Sequence, residues 1–350
     1  MPATWLVTGG AGFIGGNFVR KVLAERGVAI VNLDQLSYAA CPATLEGLDE
    51  YRHRLVVGDI NDAGLVRALL AEHQPRAVVH FAAESHVDRS IDGPRAFFET
   101  NAGGTLTLLE TVSDYWRGLD GEDREAFRFL HISTDEVYGS LGGSGRFSEA
   151  SQYRPNSPYA ASKAAADHLV RAWHHTYGLP VLTTNCSNNY GPYQHPEKLI
   201  PLMICKAVAG EPLPVYGDGG QVRDWLYVGD HVDGLLRVLQ GGRPGRVYNI
   251  GGDCERTNLE VVTGICACLD ELRPAGAPHA RLIRHVADRP GHDRRYAIDA
   301  GRIGAELDWR PATTFERGLR RTVAWYLEHG DWIEAARQRG YRGERLGVAR

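Results

Sequence analysis

The eight residues Thr8-Gly9-Gly10-Ala11-Gly12-Phe13-Ile14-Gly15 constrain this chain more than any other stretch. They follow an apolar run, Trp5-Leu6-Val7-Thr8, and open an amphipathic stretch over 13–26. Gly9, Gly12 and Gly15 overlap a Gly-x-Gly-x-x-Gly pattern at 10–15. Glycine permits a tight turn and lets backbone approach a pyrophosphate, and the helix that follows offers unpaired N–H groups and a partial positive charge. A glycine-rich turn alone can be only a turn. Here a strand precedes it, a helix follows it through Phe13 and Ile14, and a second strand ends at Asp34. That carboxylate falls about 20 residues beyond the glycines, where it would bond ribose hydroxyls and repel a 2′-phosphate. The pattern predicts a bound dinucleotide, NAD rather than NADP, with Gln35, Leu36 and Ser37 beside Asp34.

The first half alternates short apolar runs with longer helical patterns. Runs at 4–8, 28–34, 54–58, 76–82 and 127–133 are rich in Val, Ile, Leu and Phe and read as strands buried on both faces. Amphipathic stretches near 13–26, 62–73 and 95–117 separate them. Strand–helix–strand repetition predicts an α/β fold, a doubly wound parallel (Rossmann) sheet with right-handed crossovers. A loop over 139–157, a helix from Tyr159 to about Tyr177 with Pro158 in its first turn, and a strand at 179–186 complete it. After 186 prolines and glycines become frequent and the elements shorten. We place a smaller interleaved α/β substrate unit at 187–221 and 251–330, a return to the main sheet near 222–250, and a C-terminal helix and tail at 331–350.

Asp59 and Ile60 follow the third strand and could face the adenine, with Asp59 as a plain helix N-cap the alternative. Phe81, Ala82, Ala83 and Thr100 lie after the fourth strand and in the next helix, where small residues let a cofactor lie close. Tyr159 and Lys163 are four residues apart on one helix face. A phenol has a pKa of about 10; a neighbouring ammonium and a positive nicotinamide both favour the phenolate. Such a phenolate can take a hydroxyl proton as hydride leaves the same carbon. Tyr and Lys at this spacing recur by chance, but here Ser133-Thr134 and the glycine turn accompany them.

The remaining composition narrows the function by exclusion. The chain has 350 residues and a net charge of −4, which offers no bulk attraction to nucleic acid or membrane. No stretch reaches the roughly 18 apolar residues of a membrane span. The N-terminus begins directly on a strand, so a signal peptide is not expected. The six cysteines include no Cys-x-x-Cys and read as small buried residues in a reducing cytoplasm. The fourteen histidines show no metal-ligand spacing, so no catalytic metal is expected.

Taken together these motifs resemble the extended short-chain dehydrogenase/reductase family of sugar-nucleotide epimerases and dehydratases. Ser133-Thr134-Asp135-Glu136-Val137-Tyr138-Gly139 resembles the signature of its dTDP-glucose 4,6-dehydratase branch. Adjacent carboxyls suit an elimination: one acid protonates a leaving hydroxyl, one base removes a carbon-bound proton. The resemblance covers nearly the whole chain, through His80–Asp88, Cys186–Tyr193, Pro196–Pro201, Leu213–Gly219, Val222–Trp225, Asn249–Gly252, Thr257–Leu259 and Asp288–Asp293. It implies that Thr134, Asp135, Glu136, Tyr159 and Lys163 are catalytic and that Asn189 faces the nicotinamide. It implies a nucleotide-sugar site of Ser85, Asn188, Lys198, Leu199, Arg223, Asn258, Asp288, Arg289 and His292, with Pro214, Val215 and Tyr216 near the base. Arg and Lys suit a diphosphate. Gly219-Gly220-Gln221 and Gly229 depart from many relatives and touch substrate detail rather than reaction class. The resemblance further implies a homodimer through the helices near 95–117 and 158–177, where Ala160, Ala161, Ala164, Ala165 and Ala166 form a small-residue surface. The rival readings are a UDP-sugar 4-epimerase, a UDP-glucuronate decarboxylase and a non-catalytic NAD-binding regulator. An epimerase or a regulator has no need of the acidic pair. Envelope rhamnose and a secondary-metabolite deoxysugar are both possible destinations of the product.

Overall fold

The computed structural model describes residues 3–288 and 292–339. Its strands are β1 (Thr4–Thr8), β2 (Ala29–Asp34), β3 (His53–Val57), β4 (Ala77–His80), β5 (Arg128–Thr134), β6 (Val181–Cys186), β7 (Asn188–Tyr190), β8 (Leu213–Tyr216), β9 (Val222–Tyr227), β10 (Val247–Ile250), β11 (Glu255–Thr257) and β12 (Ile283–Val286). Seven of them form one sheet in the order β10-β6-β5-β4-β1-β2-β3, with every pairing parallel. The order reverses between β1 and β4. Strands that leave a parallel sheet in opposite directions open a crevice beyond their carboxyl ends, and ligands bind there.

The apolar runs become strands because helices bury both of their faces. Val7, Leu130, Leu182 and Ile250 pack into one core beneath Phe18, Val22 and Leu235. Leu6, Val78 and Phe129 face a second layer with Leu69, Leu108 and Val112. The fourth run ends at His80 rather than at 82, because Phe81 and Ala82 leave the ladder to line the crevice. The helix Pro158–Tyr177 is bounded by the Ser157 hydroxyl, which accepts from the Ala160 N–H, and by Gly178 in the left-handed region.

The stretch read as a helix near 95–117 is interrupted. Helix Pro94–Phe97 passes into a π-helical turn, Phe98–Gly104, before helix Thr105–Arg117. The wide turn carries Asn101 in a buried position. Its Oδ1 accepts from the Glu84 N–H at 2.8 Å, and its Nδ2 donates to the Glu84 carbonyl at 2.9 Å and to Ser162 Oγ at 2.9 Å. One amide thereby fastens the crevice loop after β4 to the helix that carries Tyr159.

The second unit holds β11-β9-β7 and the pair β12-β8 around a separate core of Ile204, Val262, Ile265 and Leu319. Its boundaries differ from the sequence reading in two places. The return begins after β9, which pairs with β7 and β11 and stays in the small sheet; helix Val228–Gly241 and β10 make the return. Ile303 and Trp309, expected in the substrate unit, pack in the core of the main sheet. The C-terminal helix is Gly330–Arg337, and residues 340–350 lie outside the described residues. Of the expected alanine surface, Ala160, Ala164 and Ala166 are consumed inside the monomer; Ala161 and Ala165 remain half-buried. Among the described residues no helix is long and apolar enough to cross a membrane, no acidic or thiol–imidazole cluster could hold a metal, and the six cysteines are free.

The Asn101 clamp sets a stability test. Asn101→Ala leaves the Glu84 backbone groups without their partners, and urea denaturation should show a loss of about 1–3 kcal/mol. A loss below about 0.5 kcal/mol would mean that other contacts hold the loop.

Candidate active site

One cavity runs along the crevice at the ends of β1, β2, β4, β5 and β6. Its floor at one end is the glycine turn, and each glycine there answers a different constraint. A Cβ on Gly9, whose φ is +74°, would meet the Ala82 backbone at 2.5 Å; one on Gly15 would meet the Gly9 carbonyl at 2.3 Å. A Cβ on Gly12 would meet only the Gly9 carbonyl, at 3.3 Å, and Gly12 lines the cavity. Gly9 and Gly15 therefore close the turn, while Gly12 leaves room for a group that must approach the backbone. Helix Phe13–Glu25 starts there without a side-chain cap, so its first N–H groups face an open cradle suited to an anion.

Asp34 closes the same end. Its buried carboxylate accepts from the Ala11 N–H at 2.9 Å and from the Leu36 N–H at 2.8 Å, and burial pushes its pKa up against those bonds. It therefore holds the glycine turn in shape as well as lining the cavity, and each oxygen keeps a second lone pair for a hydroxyl. Gln35, Ser37, Asp59, Ile60, Phe81, Ala82, Ala83, Thr100 and Asn189 line the cavity with Phe13, Ile14 and Gly15. Leu36 does not: with φ of 54° it turns away and packs on the main core. Asp59 accepts from the Asn61 N–H, while the cap of helix Ala63–His73 is Asp62. An uncapped helix start, a glycine without a Cβ in the way and an acceptor at the end of β2 fit a dinucleotide along its whole length.

At the other end stand Thr134, Asp135, Tyr159 and Lys163. Thr134 ends β5 and caps the tight turn Asp135–Tyr138, accepting from the Glu136 N–H at 3.3 Å. Tyr159 and Lys163 are one helical turn apart, 8% and 4% exposed. Lys163 donates to the Ile132 carbonyl at 2.8 Å, and burial lowers its pKa while Asp167 opposes. The tyrosine pKa, expected to fall beside Lys163, is instead held well above its ordinary value, chiefly by burial and then by Glu136; a hydrogen bond with Thr134 pulls the other way. Desolvation penalises the phenolate, and a positive charge brought beside the ring would favour it.

Asp135 is buried. Burial, Glu136 and Asp224 push its pKa well above the ordinary carboxyl value, against Arg223 and a hydrogen bond with Thr134. Among the described residues its buried Oδ2 has no hydrogen-bond partner. A buried carboxyl shifted in that direction, in a cavity with a tyrosine and a lysine, is suited to act as a general acid.

The remaining sequence-predicted residues divide in two. Ser85, Asn188 and Lys198 line the cavity, and Lys198 Nζ donates to the Ser85 carbonyl at 3.0 Å. Tyr216, Arg223, Asn258, Asp288 and His292 gather in the second unit. The Asn258 N–H donates to the Gln221 carbonyl, Gln221 to Asp288 at 2.7 Å, and Asp288 bonds His292 at 2.7 Å. Tyr216 meets the His292 ring edge-on at 6.3 Å, and Arg223 lies over Tyr296 at 4.5 Å. Pro214 is half-buried on β8 and Leu199 begins helix Leu199–Val208. Val215 faces the second core, 2% exposed, and offers no side chain to a base. Arg289 lies outside the described residues.

Sequence reasoning missed Asn32, whose Oδ1 accepts from the Gly10 N–H at 3.0 Å; a polar residue inside an apolar strand was its available signal. It also missed Cys186, Ser187, Gln194, His195 and Glu197 on the cavity wall.

The GDP-mannose 4,6 dehydratase family model matches residues 6–322. A dTDP-glucose 4,6-dehydratase of Xanthomonas campestris pv. campestris strain B100 is 63% identical over 349 residues, covering 99% of each chain. The dTDP-glucose 4,6-dehydratase 1 of Escherichia coli K12 is 52% identical over 347 residues, covering 96% of each. Among solved structures, DesIV from Streptomyces venezuelae, a dTDP-glucose 4,6-dehydratase with NAD bound, superposes with a TM-score of 0.87 at 49% identity, covering 95% of this chain and 99% of that one. The glycine cradle, the tyrosine–lysine turn and these full-length likenesses establish that the chain belongs to the GDP-mannose 4,6 dehydratase family, within the extended short-chain dehydrogenases/reductases.

Proposed function

We propose that this chain is an NAD-dependent hydro-lyase that converts dTDP-glucose to dTDP-4-keto-6-deoxyglucose and water. The observation that carries the reading is Asp135: a buried carboxyl, next to Glu136, that lines the same cavity as Thr134, Tyr159 and Lys163. Relatives 52% and 63% identical over nearly their full lengths bear that activity as their name.

Held along the glycine turn with Asp34 at one end and Lys163 at the other, NAD⁺ would supply a hydride acceptor for C4 and a hydride donor for C6, so that the reaction has no net redox change. Tyr159 takes the proton from O4, and Thr134, beside it in the cavity, holds the same oxygen. Lys163, anchored to the Ile132 carbonyl, keeps a positive charge at the ribose end. The C4 ketone acidifies the C5 proton, which Glu136 removes. Asp135 gives its proton to O6, and the C6–O6 bond breaks as water leaves. Glu136 then reprotonates C5. The substrate nucleotide extends towards Arg223, Asn258 and His292, and Tyr216 packs near the base. The protein works as a cytoplasmic homodimer through the faces of helices Thr105–Arg117 and Pro158–Tyr177.

NMR of the protein with dTDP-glucose in D₂O should show dTDP-4-keto-6-deoxyglucose with deuterium at C5. Absence of product with added NAD⁺ would overturn the substrate, and reaction of UDP-glucose instead would correct only the nucleotide.

Single-site changes should separate the steps. Tyr159→Phe should abolish C4 oxidation. Glu136→Gln should let dTDP-4-ketoglucose accumulate, seen by mass spectrometry of quenched mixtures, with elimination slowed about 10²–10⁴-fold; near-normal dehydration would remove Glu136 from the base role. Asp135→Asn should slow elimination similarly. Because Asp135 donates only while protonated, elimination in the unmodified protein should persist below its raised pKa and fall as pH rises through it.

Light scattering after size exclusion should give twice the monomer mass. A monomer at micromolar concentration would refute the dimer.

A further inference from the structure

Glu197 is a buried carboxylate that the dehydration steps do not use. Its side chain is 1% exposed, and it lies between β7 and helix Leu199–Val208, next to Lys198. One oxygen accepts from Tyr38 OH at 3.2 Å and the other from Arg89 Nε at 3.2 Å. The Arg89 guanidinium lies over the Tyr38 ring at 3.9 Å, and Tyr38 meets the His195 ring edge-on at 5.9 Å. His86 Nε2 stands 3.8 Å from the same carboxylate.

The three partners come from three separate loops. Tyr38 follows β2, Arg89 sits on the short helix Val87–Asp92 that follows the β4 loop, and Glu197 belongs to the second unit. Each of these loops lines the dinucleotide cavity: Ser37 and Ala39 from the first, Ser85 from the second, Glu197 and Lys198 from the third. The ion pair therefore joins the walls of the crevice across the boundary between the two units. Walls that are joined must part before a ligand of dinucleotide length can leave.

We infer that Glu197 is a positioning residue: with Arg89 and Tyr38 it clasps the 194–198 loop to the nucleotide unit, and this clasp sets how slowly NAD departs. The inference rests on the NAD reading of the cavity. It also accounts for a chemical need. The hydrogen taken from C4 is returned at C6 in the same turnover, so a cofactor lost in between would strand the keto sugar. Removing one partner of a buried, hydrogen-bonded charge pair acts mainly on the dissociation rate.

The test loads the protein with isotopically labelled NAD⁺, chases with excess unlabelled NAD⁺, and follows retained label. Glu197→Gln and Arg89→Gln should each speed the exchange by about tenfold or more, and the double variant should add little to either. Tyr38→Phe, which removes one hydroxyl, should speed it several-fold and serves if Glu197→Gln fails to fold. Thermal midpoints without cofactor are measured alongside. Exchange within about twofold of the unmodified protein in Glu197→Gln, Arg89→Gln and Tyr38→Phe would overturn the clasp, and a lowered midpoint with unchanged exchange would assign these residues to folding alone. Unmodified protein that takes up no label and releases no NAD when denatured would instead refute the NAD reading.

Discussion

A single buried carboxylate, Asp167, ties together the elements that carry the chemistry. It lies one turn beyond Lys163 on helix Pro158–Tyr177 and shares hydrogen bonds with His131 at 3.0 Å, Ser133 at 2.9 Å and Tyr153 at 2.9 Å. His131 and Ser133 belong to β5, the strand that ends in Thr134. Asn185 on β6 approaches the same carboxylate at 3.4 Å and donates to the Thr134 carbonyl at 3.1 Å. Burial opposes its charge, yet the His131 contact, the Lys163 ammonium and the Ser133 hydroxyl hold its pKa below the usual carboxylate range. A charge satisfied from several sides is costly to rearrange. The helix of Tyr159 is thereby held in register with the strand end of Thr134 and Asp135, and the spacing of the reacting groups follows from that register.

Desolvation then divides the labour among groups of similar chemistry. Asp167 and Asp135 are both buried carboxyls beside the end of β5, and their surroundings push their pKa values in opposite directions. Asp167 has donors and a cation around it; Asp135 has Glu136 and Asp224 as neighbours and one oxygen without a partner among the described residues. The first environment favours the charge that holds the frame. The second favours the proton that an acid must deliver. Tyr159 is pushed in the protonated direction by the same burial and by Glu136, and a positive charge beside the ring would act the other way.

The parts of this design that were legible in the sequence are those whose constraints are local. The glycine turn is read from four residues and one strand, and Gly9 and Gly15 sit where a Cβ would strike backbone. Tyr159 and Lys163 share a face because a helix has a fixed period, and alternating apolar runs force a parallel sheet. What escaped was set by contacts distant in sequence. Asn32 is 22 residues from the Gly10 it supports, and only its polarity inside an apolar strand marks it; Glu197, 108 residues from Arg89, carries no local pattern. The π-helical turn at Phe98–Gly104 exists to seat Asn101 against Glu84 and Ser162. Val215 was assigned to the base by its place in a motif, but alternation along β8 turns it into the core and leaves Pro214 and Tyr216 half-exposed on either side.

The chain order of these elements explains why the second unit must return to the first. The glycine turn, Asp34 and the Tyr159–Lys163 pair are in place by β6 and the cavity wall is finished by Lys198, while the residues suited to a second diphosphate, Arg223, Asn258 and His292, arrive only later. Arg223 is the second residue of β9, in the small sheet that β7 joins directly to the end of β6. Its guanidinium acts on Asp135 strongly enough to oppose the rise in that group's pKa. A substrate diphosphate that drew Arg223's charge to itself would weaken that opposition and leave Asp135 still more firmly protonated. Binding of the far end of the substrate would thus favour the protonated form of the carboxyl that acts at its near end.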